Sequence, residues 1–382
     1  MRLVVLPLRI GLMAMLLAGA ACSPQEQAAD PPIARGTTLT LAQTPQTDPP
    51  VLIPSGGRLL AFWIGSDERG VHQDARIVHQ DALERVVTLP LPPIHPYAQD
   101  GLSAPDGSAL LFWLDEHPET PERAALYAAW ISANLEVERG PVQVSDMPVY
   151  QYALMTDAAG GAWAVWSGGA AGEPALFARQ IDYEGRPLEA RQIFSRGAYP
   201  ALTYDALGRR WLFWLANGQI WRGQFENGQL AGEPEALTAA LQLGPGDRLT
   251  GLKAGSDGTF GYLFWNVARA AGAAETWMIV GSFNDPYWAQ PRRLNDEAGA
   301  PVRFAAPLDQ PAAPLPVAIL QGDALVLRYG EAGLLSDPIA VLSPLDLLRA
   351  PALRAQPDGE LVIAWASPGG AAASLNLLRV ER

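Results

Sequence analysis

One feature constrains the fold of this chain more than any other: a glycine followed six or seven residues later by a tryptophan, repeated along nearly the whole sequence. The six pairs are Gly57/Trp63, Gly107/Trp113, Gly160/Trp166, Gly208/Trp214, Gly258/Trp265 and Gly359/Trp365. Successive tryptophans lie 50, 53, 48 and 51 residues apart, and the last interval of 100 residues is two periods with one marker missing. Self-similarity at roughly 40–50 residues is typical of propellers and solenoids. We therefore expect a degraded seventh copy near Ile319.

Each period has the pattern of four antiparallel strands. Turn sequences such as 105–107, Pro-Asp-Gly, come first because Gly and Asp accept the left-handed backbone region. A short apolar run such as 109–113 follows and is typical of a strand covered on both faces. An alternating segment such as 176–181 and a shorter polar one such as 188–193 complete the period. The pattern predicts an all-β fold, a single seven-bladed β-propeller. Six blades, or a solenoid of stacked hairpins, are the alternatives.

The two ends of the repeat region complement each other. Residues 37–43 alternate like a strand but precede the first turn, whereas the last copy stops one strand short. We expect the N-terminal strand to complete the last blade, because this pairing removes an exposed sheet edge. The propeller is thus predicted to span residues 37–382. The predicted blades are 51–92, 97–146, 149–196, 198–239, 247–295, 300–343, and 349–382 with 37–43.

The first 36 residues are predicted to lie outside the propeller. The apolar run 10–21 follows Arg2 and Arg9 and is too short to span a bilayer, so residues 1–21 are interpreted as a signal peptide. The only cysteine, Cys22, comes next. Segment 19–22 resembles the lipobox of bacterial lipoproteins, with Gly in place of the usual Leu at its start. The resemblance implies that Cys22 is acylated. An unlipidated signal peptide is the alternative.

The predicted location follows from this N-terminal segment. An acylated Cys22 would anchor the protein on the extracytoplasmic side of the cell envelope, at the outer membrane if the organism has one. Residues 22–36, rich in Pro, Gln and Ala, are expected to form a flexible tether.

The charge of the chain argues against polyanionic partners for the surface as a whole. The sequence has 27 basic and 40 acidic residues, a formal net charge of −13, and loss of Arg2 and Arg9 makes it about −15. We expect no binding to nucleic acid, contact with the membrane through the lipid anchor only, and a monomer. The single lysine, Lys253, is attributed to an arginine-biased genome.

Candidate site residues occur where each predicted blade enters its innermost strand, because that junction lies at the mouth of a propeller's central channel. Four successive blades have an arginine there: Arg196, Arg248, Arg303 and Arg349. Tyrosines lie at or beside the same place in blades 2 to 4: Tyr97, Tyr150, Tyr152 and Tyr199. Arginine binds carboxylates bidentately, and tyrosine stacks on sugar faces. The pattern predicts a cup for an acidic glycan or another carboxylate. The alternative is that the arginines form structural salt bridges.

The sequence contains none of the sharp enzyme motifs, such as H-E-x-x-H, G-x-S-x-G, a phosphate-binding Gly loop or a Cys/His cluster. Acidic loops after Asp67 and Asp115 could hold calcium but are better explained as solvated loops. No cofactor or metal is therefore predicted.

The rhythm of the repeats resembles the sialidase-like propeller superfamily. Segment 349–353, Arg-Ala-Pro-Ala-Leu, is similar to that family's Arg-Ile-Pro segment, although it lies in the last blade instead of the first. Segment 182–185 is at best a relic of an Asp-box, whose full form does not occur. The resemblance implies that Arg349 binds a carboxylate, but no Tyr nucleophile with Glu and Asp partners is identifiable.

Fold alone says little about activity. The leading hypothesis is a lipid-anchored propeller that binds a ligand or an envelope protein without catalysis. The alternatives are a glycan hydrolase of sialidase-like type and a scaffold for an envelope assembly.

Overall fold

The structure is a computed structural model that describes most of the chain between residues 38 and 380. The described residues are 38–68, 70–79, 82–91, 95–117, 120–157, 159–169, 172–237, 243–270, 274–285, 288–294, 303–305, 312, 314–321, 324–337, 340–342, 351–356, 360–369 and 372–380. The predicted signal peptide and tether, Cys22 and Arg349 lie outside them. Within these ranges all regular secondary structure is β-strand.

The strands are numbered in chain order. The N-terminal strand and blades 1 to 3 comprise β1 Thr38–Thr44; β2 Val51–Ser55, β3 Arg58–Asp67, β4 Gly70–Val78, β5 Val87–Thr88; β6 His95–Ser103, β7 Ala109–His117, β8 Thr120–Ile131, β9 Val137–Gln143; β10 Val149–Thr156, β11 Ala162–Gly168, β12 Ala175–Ile181 and β13 Arg191–Phe194. Blades 4 to 7 comprise β14 Ala198–Tyr204, β15 Arg210–Ala216, β16 Gln219–Glu226, β17 Gln229–Ala236; β18 Arg248–Ser256, β19 Phe260–Ala268, β20 Ala274–Ser282, β21 Arg292–Arg293; β22 Arg303–Ala305, β23 Leu315–Gln321, β24 Ala324–Glu331, β25 Leu334–Leu335, β26 Ala340–Leu342; β27 Ala352–Ala355, β28 Leu361–Gly369 and β29 Ala372–Val380.

These strands form seven separate antiparallel sheets. Six of them are meanders of consecutive strands, and the seventh joins β27, β28 and β29 to the N-terminal β1. The sixth sheet has a fifth strand, β26, which pairs with β24. The first strands of blades 1 to 5 contact one another in succession, and the first strand of blade 7 contacts that of blade 1. The first strands therefore surround the central channel. This confirms the seven-bladed propeller, and the six-bladed and solenoid alternatives are wrong.

The hairpins between the first and second strands form as the turn sequences predict. The Asp106 carboxylate accepts a hydrogen bond from the Ser108 backbone N–H at 2.9 Å, and Asp257 accepts one from Thr259 at 2.9 Å. Gly107 has a φ of 84°, which L side chains rarely adopt. The Asp-Gly turns of blades 2 and 5 thus fix where the apolar second strand of each begins.

The hydrophobic core lies between the blades. Every residue of β11 is buried, and one core cluster joins Val165 of blade 3 to Trp214 of blade 4. The second strands are apolar on both faces because each contacts a neighbouring blade on either side. The repeated tryptophan marks this inter-blade layer.

The ring closes through a blade that both ends of the chain share. β1 pairs antiparallel with β29, from Thr38 opposite Leu378 to Thr44 opposite Ala373. Leu41 is only 1% exposed and packs in one cluster with Leu375. The predicted closure is therefore confirmed.

Among the residues that the structure describes, no helix is long and apolar enough to cross a membrane.

Candidate functional site

The innermost strands of four successive blades share an irregularity near their beginning. Each interrupts its pairing with the second strand by a bulge, and the four bulged segments are Tyr97–Asp100, Val149–Gln151, Ala198–Ala201 and Thr250–Lys253. Three of the bulges contain a residue with positive φ: Ala98 at 47°, Tyr199 at 51° and Gly251 at 64°. Positive φ is uncommon for residues other than Gly, and bulges near binding sites re-aim side chains. The repeated irregularity therefore marks one end of the channel as a candidate site.

The bulges enclose a cleft of about 260 Å³. Its lining residues are Ala98, Gln99, Asp100, Leu114, Tyr150, Gln151, Tyr152, Tyr199, Pro200, Gly251, Leu252 and Lys253. All of them except Leu114 come from the first strands of blades 2 to 5. Because first strands surround the axis, the cleft lies at the channel mouth.

Three tyrosines form much of the cleft wall, and each is held differently. Tyr152 donates a hydrogen bond from its hydroxyl to the Ala98 carbonyl at 2.5 Å, which ties blade 3 to the bulge of blade 2. Burial raises the pKa of Tyr152, and the nearby Asp100 charge raises it further. Tyr150 is 37% exposed and donates to the Gly169 carbonyl at 3.0 Å. Tyr199 is half-buried.

The cleft contains one acidic and one basic side chain at equivalent places. Asp100 pairs with Phe112, and Lys253 pairs with Phe264, in each case the residue before the repeated tryptophan. The Asp100 carboxylate accepts a hydrogen bond from the Gly101 backbone N–H at 2.8 Å. Lys253 is exposed and forms no ion pair with any of the described residues. Its ammonium group is therefore available to an anionic ligand.

The structure brings together part of the predicted site. Tyr150, Tyr152 and Tyr199 line one cleft, as residues of the proposed cup should. Tyr97 does not line it; this side chain is half-buried against a core cluster. Burial raises the pKa of Tyr97 to about 12, and the negative charges of Glu116 and Asp115 contribute.

Arg196 and Arg248, the two predicted arginines whose side chains the structure describes, lie outside the cleft. Arg196 is exposed and forms an ion pair with Glu173 at 3.1 Å, beside a separate depression between blades 3 and 4. Arg248 is exposed at the first residue of β18 and does not line the cleft. Arg303 begins β22, but its side chain, like the whole of Arg349, lies outside the described residues. Convergence of the four arginines on one anion stays a prediction.

Sequence reasoning missed Gln99, Asp100 and Lys253. One position of the first strand pairs with the residue before the repeated tryptophan, and it is alanine in blades 3 and 4. Asp100 and Lys253 occupy this position in blades 2 and 5, so charged residues at an otherwise apolar position were the available signal. The bulges make this position hard to find from the sequence, because each unpaired residue changes which residue of the first strand lies opposite a given residue of the second.

No group of three or more His, Cys, Asp and Glu side chains is placed to hold a metal ion in the described ranges.

Comparison with known proteins supports the fold. No protein-family model matches the chain, and no curated protein sequence matches it. Among solved structures it is similar to an ulvan lyase of polysaccharide lyase family PL25 bound to a glucuronic acid–rhamnose 3-sulfate saccharide, with a TM-score of 0.59 and 9% identity over 89% of this chain and 95% of that one. It is also similar to the polysaccharide lyase Uly1, with a TM-score of 0.58 and 8% identity over 93% of each chain. A Penicillium chrysogenum α-L-arabinanase complexed with arabinobiose gives 0.50 and 12%, over 91% of this chain and 98% of that one. At these identities the likeness shows the propeller fold alone.

Proposed function

We propose that this protein is a lipid-anchored, extracytoplasmic propeller that binds an acidic glycan in the cleft at its channel mouth. The observation that carries the proposal is Lys253, a cation without an ionic partner among the described residues, in a cleft walled by Tyr150, Tyr152 and Tyr199. It is also the only lysine of the chain.

These side chains can contact both parts of an acidic sugar, the apolar faces of its ring and its negatively charged group. Aromatic rings offer flat apolar surfaces for the C–H faces of a pyranose, and the tyrosines reach the cleft from two neighbouring blades. The Lys253 ammonium group supplies a point charge for a carboxylate or a sulfate. Because the chain as a whole has a net charge of −13, attraction of an anion must be local to the cleft.

Similar propellers support this choice of ligand class. Two of them are polysaccharide lyases by name, one of which was solved with a glucuronic acid-containing saccharide, and a third is an arabinanase complexed with arabinobiose. The location rests on Cys22 and the apolar run before it.

Cleavage of the bound glycan is the second candidate function. Burial raises the pKa of Tyr152, and the charge of Asp100 raises it further, so the phenol, protonated at neutral pH at its ordinary pKa of about 10, stays protonated at higher pH as well. A protonated phenol beside a carboxylate is a pair of the kind that serves in acid–base chemistry. Prolonged incubation with acidic oligosaccharides, followed by reducing-end and unsaturated-uronate assays, tests this function. Product formation that Tyr152→Phe abolishes would establish it.

Calorimetric titration with a glucuronate oligosaccharide and with its carboxyl-reduced, neutral counterpart tests the binding function. Wild-type protein is expected to bind the acidic form at least about tenfold more tightly, equivalent to about 1.4 kcal/mol. Lys253→Met should remove this difference. Arg248→Met is the matched control, since it removes one exposed cation from the same strand outside the cleft, and it should bind as wild type does.

Two outcomes would show that the cleft is not the site that recognises the anion. If Arg248→Met loses the preference for the acidic form while Lys253→Met keeps it, the arginines carry the anion site. If wild-type protein binds both forms equally, the charge of the glycan is not recognised.

A further inference from the structure

A second depression adjoins the cleft on the side of blade 1. It has a volume of about 140 Å³, and its lining includes Gln46, Asp48 and Trp63. Ala98 and Gln99 line this depression and the cleft alike. The two spaces therefore share one wall, which is the bulge of β6.

The side chain of Gln99 has an unusual environment in this wall. Its Nε2 atom is buried and has no hydrogen-bond partner among the described residues. Buried amide groups in proteins are nearly always paired, so an unpaired donor calls for an explanation. A hydroxyl group of a ligand that passes between the two depressions would accept this hydrogen bond.

The local backbone explains how Gln99 comes to face both spaces. Ala98 has a φ of 47°, and its carbonyl is held by the Tyr152 hydroxyl. Gln99 is the second residue of the bulge and has no partner on β7. A bulged residue leaves the regular alternation of a strand, which lets its side chain lie along the wall instead of within the blade.

From this arrangement we infer that the ligand is an oligosaccharide of at least two sugars, which occupies the cleft, crosses Gln99 and continues into the depression beside Trp63. The inference rests on the proposed glycan-binding function and adds the length of the ligand. Small-molecule sites usually have volumes of about 300–1,000 Å³. Each depression alone is smaller than this range, whereas the two joined at Gln99 reach it.

Titration with glucuronate oligosaccharides of one to four sugars tests the inference. Wild-type affinity should rise at least about tenfold from the monosaccharide to the disaccharide, because only the longer ligand crosses Gln99 into the depression beside Trp63. Gln99→Leu should lose this gain, so that its ratio of disaccharide to monosaccharide affinity falls toward one. Its melting temperature should be unchanged or higher, since leucine removes an unpaired buried amide.

Two further variants test whether the gain in affinity depends on the second depression and not on a change in folding. Gln46→Trp places a large side chain at the half-buried rim of the second depression and should also lose the gain. Gln224→Leu is the matched control, because this half-buried glutamine lies on the third strand of blade 4 and its amide pairs with Glu226. It should keep the wild-type dependence on chain length.

The outcomes distinguish this inference from the proposed function. Equal wild-type affinity for one and several sugars would overturn the inference and leave the cleft as a site for one acidic sugar. The same would follow if Gln99→Leu and Gln46→Trp both kept the gain. If wild-type protein bound no chain of any length, the proposed function itself would fail, and the inference with it.

Discussion

The Tyr152 hydroxyl donates a hydrogen bond to the carbonyl of Ala98, a residue held at a φ of 47°. This contact joins the first strand of blade 3 to the bulge of blade 2 and holds the wall between the cleft and the depression beside it. A backbone conformation that is costly for alanine persists because a neighbouring blade supports it.

Replacing Tyr152 by Phe should lower the free energy of unfolding by about 1 kcal/mol, because one intramolecular hydrogen bond is lost while the ring stays. Urea denaturation followed by tryptophan fluorescence measures the change. Tyr150→Phe is the control, since that hydroxyl lies on a more exposed side chain and bonds to Gly169. An equal loss in both variants would show that the contact with Ala98 has no special role.

Leu41→Ala tests the closure of the ring. Leu41 is 1% exposed and packs with Leu375 in the blade that both chain ends form. Truncation of a buried leucine costs about 2–5 kcal/mol, and we expect a loss in this range with greater aggregation on heating. Thr40→Ala changes an exposed neighbour on the same strand and should cost less than about 1 kcal/mol. If the leucine variant were as stable as the threonine variant, the first strand would contribute little to closure.

Asp205 is expected to make stability depend on pH in the acid range. The carboxylate is 3% exposed and accepts hydrogen bonds from the side chains of Arg209 at 2.6 Å and Trp211 at 3.1 Å. Burial alone would raise its pKa, but these hydrogen bonds outweigh burial, and the pKa lies below its usual value. Its contribution is therefore present above the unfolded-state pKa of about 4 and is lost as the pH falls through the lower folded-state value.

Asp205→Asn should cost about 2 kcal/mol at neutral pH and should flatten the decline of stability below pH ~4. Urea titrations across the acid range measure both effects. Glu233→Gln removes one exposed negative charge from the outer strand of the same blade and serves as the control. A decline for Asp205→Asn as steep as that of wild type would place the acid sensitivity elsewhere.

Cys22→Ser tests the proposed anchor. Wild-type protein should fractionate with membranes and incorporate labelled fatty acid, because two acyl chains give stable attachment whereas one gives only reversible binding. The serine variant should be released and unlabelled. Wild-type protein found free in the periplasm or the medium would count against lipidation.

The sequence predicted the blades because their markers act locally. Gly107 favours a left-handed turn, and Trp113 lies in the middle of the strand Ala109–His117, which is buried on both faces, so the sequence of each such period predicts its own hairpin. The closure by β1 followed from counting strands. Even the sixth blade, which lacks both markers, lies from Arg303 to Leu342, close to its predicted bounds of 300–343.

The site was less accessible to prediction for physical reasons. Ala98 and Tyr199 adopt positive φ although neither is glycine, and no local sequence pattern predicts such a bulge. The sequence alone gives no reason to assign the single lysine, Lys253, to a site, and only the bulge of its strand shows that it lines the cleft. The pairing of Arg196 with Glu173 depends on how a loop folds back within one blade, which periodicity does not encode.

The shared blade also has a consequence for the order of folding. Thr40 contacts Asn376 across 336 positions of sequence, and the only strand partner of β1 is β29, the last strand that the structure describes. The other blades are meanders of consecutive strands, so their strand pairs need only neighbouring segments of the chain. The first strand must instead wait, unpaired, for almost the entire chain, and its apolar Leu41 stays without its final partners during that time. We therefore expect ring closure to be a late step, and the open ring that precedes it to be the species most exposed to aggregation.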